Sequence, residues 1–206
     1  MDTWLIWNLT NGRVHATDFS NASSTGMFDP FALEWSKLFL EAFNIPEGIL
    51  PEVRDTSGMF AEGCFNPGEV KCTNGTGSFI DMNVGSRPPA SLHKLIPHIA
   101  WSIDGKITYM LEGMINTTGS AIQWLKENLG IIDDVKHSET MANSVEGTEG
   151  VYFVPAFTGL SSPYWDPHAC GIAIGLSRKT RKEHIVRAAL EGIVYRCRDI
   201  LLSMEV

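Results

Sequence analysis

The 206-residue sequence lacks any apolar run long enough to span a bilayer, because polar residues interrupt its longest hydrophobic clusters. It also lacks a surplus of basic residues: the formal charge is −8 and the isoelectric point is about 5.2. A nucleic-acid-binding surface needs clustered lysine and arginine to displace counterions, so this composition argues against that class of protein. The sequence therefore predicts a globular protein with no membrane span and no nucleic-acid partner.

Cysteine spacings typical of metal or redox motifs are missing too. The four cysteines form no Cys-x-x-Cys pair and have no histidines at zinc-ligand spacing. The N-terminal residues lack the basic start and the small-residue cleavage site of a secretory signal peptide. The four Asn-x-Ser/Thr sequons are therefore interpreted as chance matches, and we expect free thiols and a cytoplasmic protein.

A glycine-rich turn is the most informative local motif that is present. Apolar and β-branched residues flank Asn74-Gly75-Thr76-Gly77, and Asn-Gly is a strong hairpin signal, so the segment predicts strand, tight turn and strand. The two glycines would let backbone amides converge on an anion, and the Thr76 hydroxyl would add one more donor. An ordinary hairpin turn is the alternative, and this segment alone favours it.

The strand signals elsewhere predict a mixed α/β chain. Residues 98–103 and 106–111 are apolar runs on either side of Asp104-Gly105, which predicts a second hairpin. Residues 151–154 predict a short buried strand that ends at Pro155. The apolar residues within 3–9 are too few for periodicity to separate helix from strand, although Gly12 would suit a helix end.

The helix signals fall in four places. Asp29-Pro30 has the pattern of an N-cap and first helical residue, so it predicts a helix start, and Asn44-Ile45-Pro46 predicts its end. A helix is predicted after Gly119, with Gly130 just past its end, and 133–144 predicts another. The last helix is predicted to open with a capping box, Thr180-x-x-Glu183.

Six blocks of sequence, taken together, match a known pattern. They are DTWLIWNLTNGRVHATDFSNAS at 2–23, LPEVR at 50–54, NGTGSF at 74–79, GSAIQWLKENLGII at 119–132, GVYFVPAFTGLSSPYWDPHACGIAIGL at 150–176 and HIVRAALEGIVYRCRD at 184–199. In this order, from Asp2 to about Met204, they resemble the FGGY family of carbohydrate kinases. The PYWDP segment is more similar to the members that phosphorylate glycerol than to the sugar kinases.

The resemblance implies a ribonuclease-H-like, actin-type α/β fold whose two domains close on ATP and substrate. Residues 1–60 would be a remnant of the family's N-terminal domain, and residues 61–206 would be part of its C-terminal domain. It also implies a reaction in which ATP, with Mg²⁺, phosphorylates glycerol or a related polyol to give glycerol 3-phosphate.

The resemblance assigns roles to individual residues. It implies that Gly75 and Thr76 contact the transferring phosphate, that Gly119 and Gln123 line the nucleotide site, and that Phe79 packs against the polyol. Phosphoryl transfer depends on positioning charged oxygens, which a rigid amide-rich turn supplies. Taken by themselves, Phe79 would be strand core, Gly119 a helix N-terminal glycine, and Gln123 a solvated helix residue.

The chain also departs from the family pattern. It has no counterpart of the DQGT turn for metal and phosphate, of the substrate Arg-Glu pair and tyrosine, or of the DGG adenine segment. The GDQ block, whose aspartate accepts the substrate proton, is missing internally, because Arg54 runs through 55–60 almost directly into Cys64. Neither Asp55 nor Glu62 lies in a matching motif, so we assign no catalytic base and no metal ligand.

Three alternatives follow for a chain with these gaps. It is an inactive truncated or exon-skipped kinase, a non-catalytic partner that associates with a full-length kinase, or an incorrect gene model of a working enzyme. The first two predict no phosphorylation of glycerol by the chain as given, since the loss of a general base costs on the order of 10²–10⁴-fold in rate.

Overall fold

The computed structural model describes residues 2–55, 63–89 and 94–205. The chain divides into two units: unit 1 is Met1–Lys71, Asp81–Ser91 and Ile96–Glu112, and unit 2 is Cys72–Ile80, Leu92–Leu95 and Gly113–Val206. Both contain helices and strands. None of the helices in the described residues is long and apolar enough to cross a membrane.

The helices and strands are numbered along the chain. The α-helices of the described residues are α1 Asp2–Leu9, α2 Phe19–Ser23, α3 Lys37–Ala42, α4 Gly119–Glu127, α5 Ser138–Asn143 and α6 Lys182–Met204. The strands are β1 Ala16–Asp18, β2 Phe28–Asp29, β3 Glu34–Trp35, β4 Glu52–Arg54, β5 Val70–Asn74, β6 Ser78–Gly85, β7 Ile96–Ile103, β8 Lys106–Ile115, β9 Tyr152–Val154 and β10 Ile172–Ile174. Short 3₁₀ turns cover Glu47–Ile49 and Val135–His137.

The largest sheet has the strand order β5-β6-β8-β7. The two predicted hairpins are confirmed, since β5 neighbours β6 and β7 pairs antiparallel with β8. Asp104 and Gly105 have φ values of +51° and +72°, which is the backbone that an Asp-Gly hairpin turn requires. In unit 1, β1 pairs with β4 in parallel, and in unit 2, β9 pairs with β10 antiparallel.

The predicted helix start at Asp29-Pro30 is wrong. The segment is the turn between β2 and β3, which pair antiparallel, and α3 begins only at Lys37. The Asp29 carboxylate accepts hydrogen bonds from the amides of Phe31 (2.8 Å) and Ala32 (3.0 Å). These contacts hold a turn rather than a helix, and Leu33 adopts a φ of +58°, which a helix cannot include.

The predicted capping box of the last helix is also wrong in detail. Helix α6 begins at Lys182, and the Thr180 hydroxyl accepts a hydrogen bond from the Ser177 amide (2.9 Å) instead of capping the helix. The His184 side chain caps the helix instead, because its Nδ1 accepts a hydrogen bond from the Arg181 backbone amide (3.1 Å). The helix itself is confirmed.

Other predicted helices and strands agree with the structure. The residues near the N-terminus are helical as α1, and Gly12 follows with a φ of +75° and donates to the Trp7 carbonyl (2.8 Å). Helix α4 and Gly130 (φ +63°) are confirmed. The short strand before Pro155 is confirmed as β9, whereas its partner β10 was not predicted.

Each unit has its own apolar core. In unit 1, Ala22, Phe28, Ile99 and Tyr109 are buried together. In unit 2, α4, α6 and β9 share a core whose buried members are Ile122, Leu125, Ile132, Val151, Phe153, Val186, Ala188 and Ala189. A Cβ on Gly192 of α6 would lie 2.1 Å from the Phe153 carbonyl oxygen, so this glycine permits the close approach of α6 to β9.

Candidate functional site

The turn between β5 and β6 is bonded to the first residues of α4. The amides of Thr118 and Ser120 both donate to the Thr76 carbonyl (3.1 Å each), and the Gly119 amide donates to the Gly75 carbonyl (3.1 Å). The first amides of a helix have no intrahelical acceptor, so the turn supplies what α4 lacks at its N-terminus. Residues that are far apart in the sequence are thereby held as one rigid piece of unit 2.

Two glycines are required at this junction for space. A Cβ on Gly119 would lie 2.3 Å from the Gly75 carbonyl oxygen, and a Cβ on Gly77 would lie 2.5 Å from the Ile115 carbonyl oxygen. Both distances are far below a van der Waals contact. Gly77 and Gly119 therefore allow backbone to approach backbone, in addition to any role toward an anion.

A small network of side chains supports the turn from beneath. Ser78 Oγ donates to Asn74 Oδ1 (2.6 Å) and lies 2.9 Å from Thr118 Oγ1, and both Ser78 and Thr118 are buried. The Thr118 hydroxyl in turn reaches the Gly75 carbonyl (3.3 Å). Since these polar groups satisfy one another, the turn is fixed before any ligand arrives.

A pocket of about 530 Å³ opens beside the turn and α4. Its volume lies within the usual range for small-ligand sites, roughly 300–1,000 Å³. It is lined by Gly75, Thr76, Gly119, Ser120, Gln123, Trp124, Glu127, Asn128 and Phe157. The structure therefore brings together the four residues that the sequence analysis linked to the nucleotide.

The wall of the pocket contains groups that sequence reasoning missed. Trp124 and Phe157 place their ring centroids 4.8 Å apart, tilted by 53°, and form an aromatic surface. Glu127 accepts a hydrogen bond from the Gln123 side-chain amide, which fixes Gln123 along the helix. The i, i+4 spacing of Gln123 and Glu127 was a usable signal for this pair, whereas only the fold brings Phe157 to Trp124.

The turn offers hydrogen-bond donors of the kind that hold an anion. Within the described parts of the chain, no acceptor contacts the backbone N–H of Thr76 or of Gly77. The Thr76 side chain is exposed and adds a hydroxyl donor. The donors needed to hold phosphate oxygens are therefore present in the turn.

Phe79 is placed differently from the other four candidates. It does not line this pocket, and 40% of its surface is exposed, while its neighbours Ser78 and Ile80 are buried. The alternation follows from the strand, in which successive side chains point to opposite faces. Phe79 is thus not core, and its contact with a polyol stays a prediction.

Acidic residues do not form a metal site in the described residues. No group of three or more His, Cys, Asp or Glu side chains there is arranged to hold a metal ion. Asp55 belongs to unit 1, where its carboxylate accepts a hydrogen bond from the Ser102 hydroxyl. Glu62 lies outside the described residues.

Comparison with known proteins places both parts of the sequence in one family. The profile of the FGGY carbohydrate kinase C-terminal domain matches residues 70–206, and that of the N-terminal domain matches residues 1–67. The chain is 47% identical over 231 residues to glycerol kinase from Caldanaerobacter subterraneus and 46% identical over 232 residues to that from Francisella philomiragia. Both alignments cover the whole chain and 46% of the relative, so the chain spans about half the length of these proteins.

The alignment with the Caldanaerobacter glycerol kinase is longer than the chain itself. The 231 aligned positions exceed the 206 residues of the chain by 25, so about that many positions of the Caldanaerobacter relative have no counterpart here. Because the whole chain is aligned, these positions lie within the matched region. The matched region of this relative therefore contains about 25 positions that the chain lacks. That the GDQ block is among them stays a prediction.

Solved structures agree with the sequence profiles. A Plasmodium falciparum glycerol kinase structure with ADP is 35% identical, with a TM-score of 0.86 over 98% of this chain and 46% of that one. A ligand-bound xylulose kinase from Lactobacillus acidophilus, at 19% identity and a TM-score of 0.77 over the same fractions, shows the fold alone. The expected actin-like ATPase fold is thus confirmed, with this chain forming part of it. The chain belongs to the FGGY family of carbohydrate kinases.

Proposed function

We propose that this chain carries the phosphate-holding part of a glycerol-kinase-type phosphotransferase, with ATP as donor and glycerol or a related polyol as acceptor. The observation that carries the proposal is the Gly75-Thr76-Gly77 turn, which is bonded to the start of α4 and forms one wall of the pocket. The likeness to a glycerol kinase structure with ADP supports it. A cytoplasmic setting is part of the proposal and agrees with the four free thiols.

Each part of the pocket has a task in this proposal. The Thr76 hydroxyl and the amides of Thr76 and Gly77 bind the phosphate oxygens, and the rings of Trp124 and Phe157 cover the apolar part of the nucleotide. Catalysis of phosphoryl transfer is mainly positioning and charge stabilisation, which fixed donors supply without reorganising. Mg²⁺, when bound with the nucleotide, neutralises phosphate charge, and no residue of this chain is assigned to it.

The proposal also states that the chain lacks the general base of the family. A general base must lie within hydrogen-bond reach of the acceptor hydroxyl, and the chain has no counterpart of the family's aspartate block. The gap of about 25 positions inside the alignment is consistent with that loss. We therefore propose that the chain as given binds a nucleotide weakly and does not phosphorylate glycerol. The same proposal covers the domains. Residues 1–60 are a remnant of the family's N-terminal domain, and residues 61–206 are part of its C-terminal domain.

Two measurements test it. Amide chemical shifts during an ATP titration should move at residues 75–78 and 119–123, with an affinity of about millimolar or weaker, roughly −4 kcal/mol. Thr76→Ala should reduce these shifts, whereas Thr140→Ala, an exposed threonine in α5, should not. A coupled assay with ATP, Mg²⁺ and glycerol should show no turnover. Turnover at an ordinary kinase rate, or shifts absent from residues 75–78, would contradict the proposal.

A second candidate function is favoured by the surface of α1. The helix has no buried residue, and it exposes Trp4 (65%) and Leu9 (83%). Large exposed apolar groups mark association surfaces, so a non-catalytic chain that binds a full-length kinase is the alternative. Co-purification with an intact glycerol kinase, lost on Trp4→Ser with Leu9→Ser, would support it. A chain that stays monomeric beside the kinase would exclude it.

A further inference from the structure

Thr118 stands at the N-cap of α4 but does not cap the helix. Its hydroxyl makes no capping hydrogen bond, whereas a threonine in this position usually accepts one from the first helical amides. The Thr118 hydroxyl donates instead to the Gly75 carbonyl (3.3 Å). Two residues later, the Ser120 hydroxyl donates to the Thr76 carbonyl (2.9 Å). Both hydroxyls are therefore directed at the turn after β5, and all four residues belong to unit 2.

The peptide group between Thr76 and Gly77 needs such a support, because glycine follows it. When a peptide group in a turn rotates by about half a revolution, its C=O and N–H exchange places and the next residue takes a positive φ. Glycine accepts positive φ values without a steric penalty, so Gly77 does not oppose this rotation. In this structure Gly77 is not among the residues with positive φ. A hydrogen bond that holds the Thr76 carbonyl thus selects one of two accessible orientations.

The peptide groups of the turn are trans, since the single cis bond among the described residues is Ser162-Pro163. A trans peptide group directs its N–H and its C=O to opposite sides. The carbonyls of Gly75 and Thr76 point to the start of α4, where the amides of residues 118–120 and the two hydroxyls contact them. The N–H groups of Thr76 and Gly77 consequently point away from α4, and no acceptor in the described residues contacts them.

These two peptide groups extend the dipole of α4. The N-terminal amides of a helix form the positive end of its dipole, and here the amides of Thr118, Gly119 and Ser120 donate to the two turn carbonyls. Each turn peptide therefore has its dipole in the same sense as the helix and carries its own N–H at the outer end. Hydrogen bonds that follow one another in a chain polarise one another, so the amides of Thr76 and Gly77 become stronger donors.

We propose that Thr118 and Ser120 are positioning residues of the phosphate site. Their hydroxyls hold the carbonyls of Gly75 and Thr76 against α4, so that the two turn amides bind oxygens of one phosphate group. A hydroxyl has one hydrogen, and each of these gives it to a carbonyl, so neither is a donor to the ligand although Ser120 lines the pocket. This role rests on the proposed phosphate-binding function of the turn.

The orientation of the turn is measured first without a ligand, by nuclear magnetic resonance relaxation dispersion. In the parent chain the Thr76 and Gly77 amides should show no dispersion, because each peptide group keeps one orientation. Ser120→Ala removes the hydroxyl that holds the Thr76 carbonyl, so the Gly77 amide should show dispersion as the peptide group rotates. Thr118→Val removes the hydroxyl at the Gly75 carbonyl and should act more weakly at the Thr76 amide, since the Thr76 side chain opposes rotation.

Matched variants separate this role from a general loss of stability. Ser120→Thr and Thr118→Ser keep a hydroxyl at each position and should behave like the parent chain. Ser144→Ala removes a hydroxyl that also donates to a carbonyl near a helix end, that of Met141 (2.6 Å), and should leave the turn unchanged. Because Ser120 is only half-buried whereas Thr118 is buried, Ser120→Ala serves as the second variant in case Thr118→Val does not fold.

Titration with inorganic phosphate and with ATP, at constant ionic strength, measures the effect on binding. The loss of one such hydrogen bond changes an equilibrium by about 2- to 10-fold, so Ser120→Ala and Thr118→Val should each weaken phosphate binding by about that factor. Shifts at residues 75–78 in the parent chain, with equal affinity in both variants, would overturn the positioning role and leave the proposed function intact. No shifts there in the parent chain would overturn both. Weaker binding without dispersion in the ligand-free variants would mean that the hydroxyls contact the phosphate directly, and this result too would overturn the positioning role.

Discussion

The Gly119 amide donates a hydrogen bond of 3.1 Å to the Gly75 carbonyl oxygen, at a point where the two backbones leave no room for a side chain. This contact joins the turn after β5 to the first residue of α4. Since Gly75, Thr76, Gly119 and Gln123 all line the pocket, its shape depends on the contact.

Gly119→Ala should therefore destabilise the chain and disturb the pocket. The added Cβ would lie 2.3 Å from a carbonyl oxygen that is itself fixed by hydrogen bonds. Overpacking of this kind costs about 1–3 kcal/mol, which exceeds the gain of at most about 1 kcal/mol from replacing glycine in a helix. Urea unfolding should show the loss. Gly147→Ala, where no atom lies within 4 Å of the new Cβ, is the matched control and should unfold like the parent chain.

An ion pair in unit 1 predicts a dependence of stability on pH. Asp81 is buried, and its carboxylate lies 3.0 Å from Lys71 Nζ. Burial raises the pKa of Asp81 above its ordinary value of 3.8, an effect that exceeds the opposing hydrogen bond and charge of Lys71. Glu112 raises the same pKa further, and His98, which lies 3.5 Å from Glu112, lowers it.

The sign follows from the direction of the shift. A carboxyl whose folded-state pKa lies above its unfolded value contributes stability that is complete below about pH 3.8 and is lost as the pH rises through the folded-state pKa. The free energy of unfolding of the parent chain, relative to Asp81→Asn, should therefore be highest below about pH 3.8 and fall as the pH is raised above that value. Urea titrations across this range measure it, with Asp133→Asn, an exposed aspartate, as control. A difference that stays constant with pH would disprove the assignment.

Local turn chemistry explains which parts of the fold were predictable. Asn74-Gly75 and Asp104-Gly105 predicted both hairpins, because the turn residues themselves set the strand reversal. Asp29-Pro30 gave a wrong helix prediction. An aspartate that accepts hydrogen bonds from two nearby backbone amides stabilises a turn as well as a helix start. Strand β10 was missed because its pairing with β9 is a tertiary contact.

The candidate site also depends on tertiary contacts that local sequence patterns do not predict. From its residues alone, the turn was as compatible with an ordinary hairpin as with a phosphate site, and only the family resemblance linked Thr76 to Gly119 and Gln123. Their adjacency arises from hydrogen bonds between distant segments, which no local pattern encodes. The ring contact of Trp124 with Phe157 depends on packing in the same way.

The buried guanidinium of Arg196 should be the most costly side chain to remove from α6. Only 6% of Arg196 is exposed, yet it donates to the Ser162 carbonyl (2.6 Å), pairs with Asp199 (3.1 Å) and lies 4.7 Å from the centre of the Tyr164 ring. Removing one partner of a buried ion pair typically costs about 3–5 kcal/mol, because the groups left behind lose their compensation.

Arg196→Ala should accordingly lower the free energy of unfolding by about 3–5 kcal/mol in urea titrations. Arg196→Lys should recover only part of it, since an ammonium group cannot present the planar fork that reaches Ser162 and Asp199 together. Arg198→Ala, an exposed arginine in the same helix, controls for the loss of charge and should be nearly neutral. If Arg196→Lys matched the parent chain, the planar geometry would be irrelevant and charge alone would hold the 160–165 loop to α6.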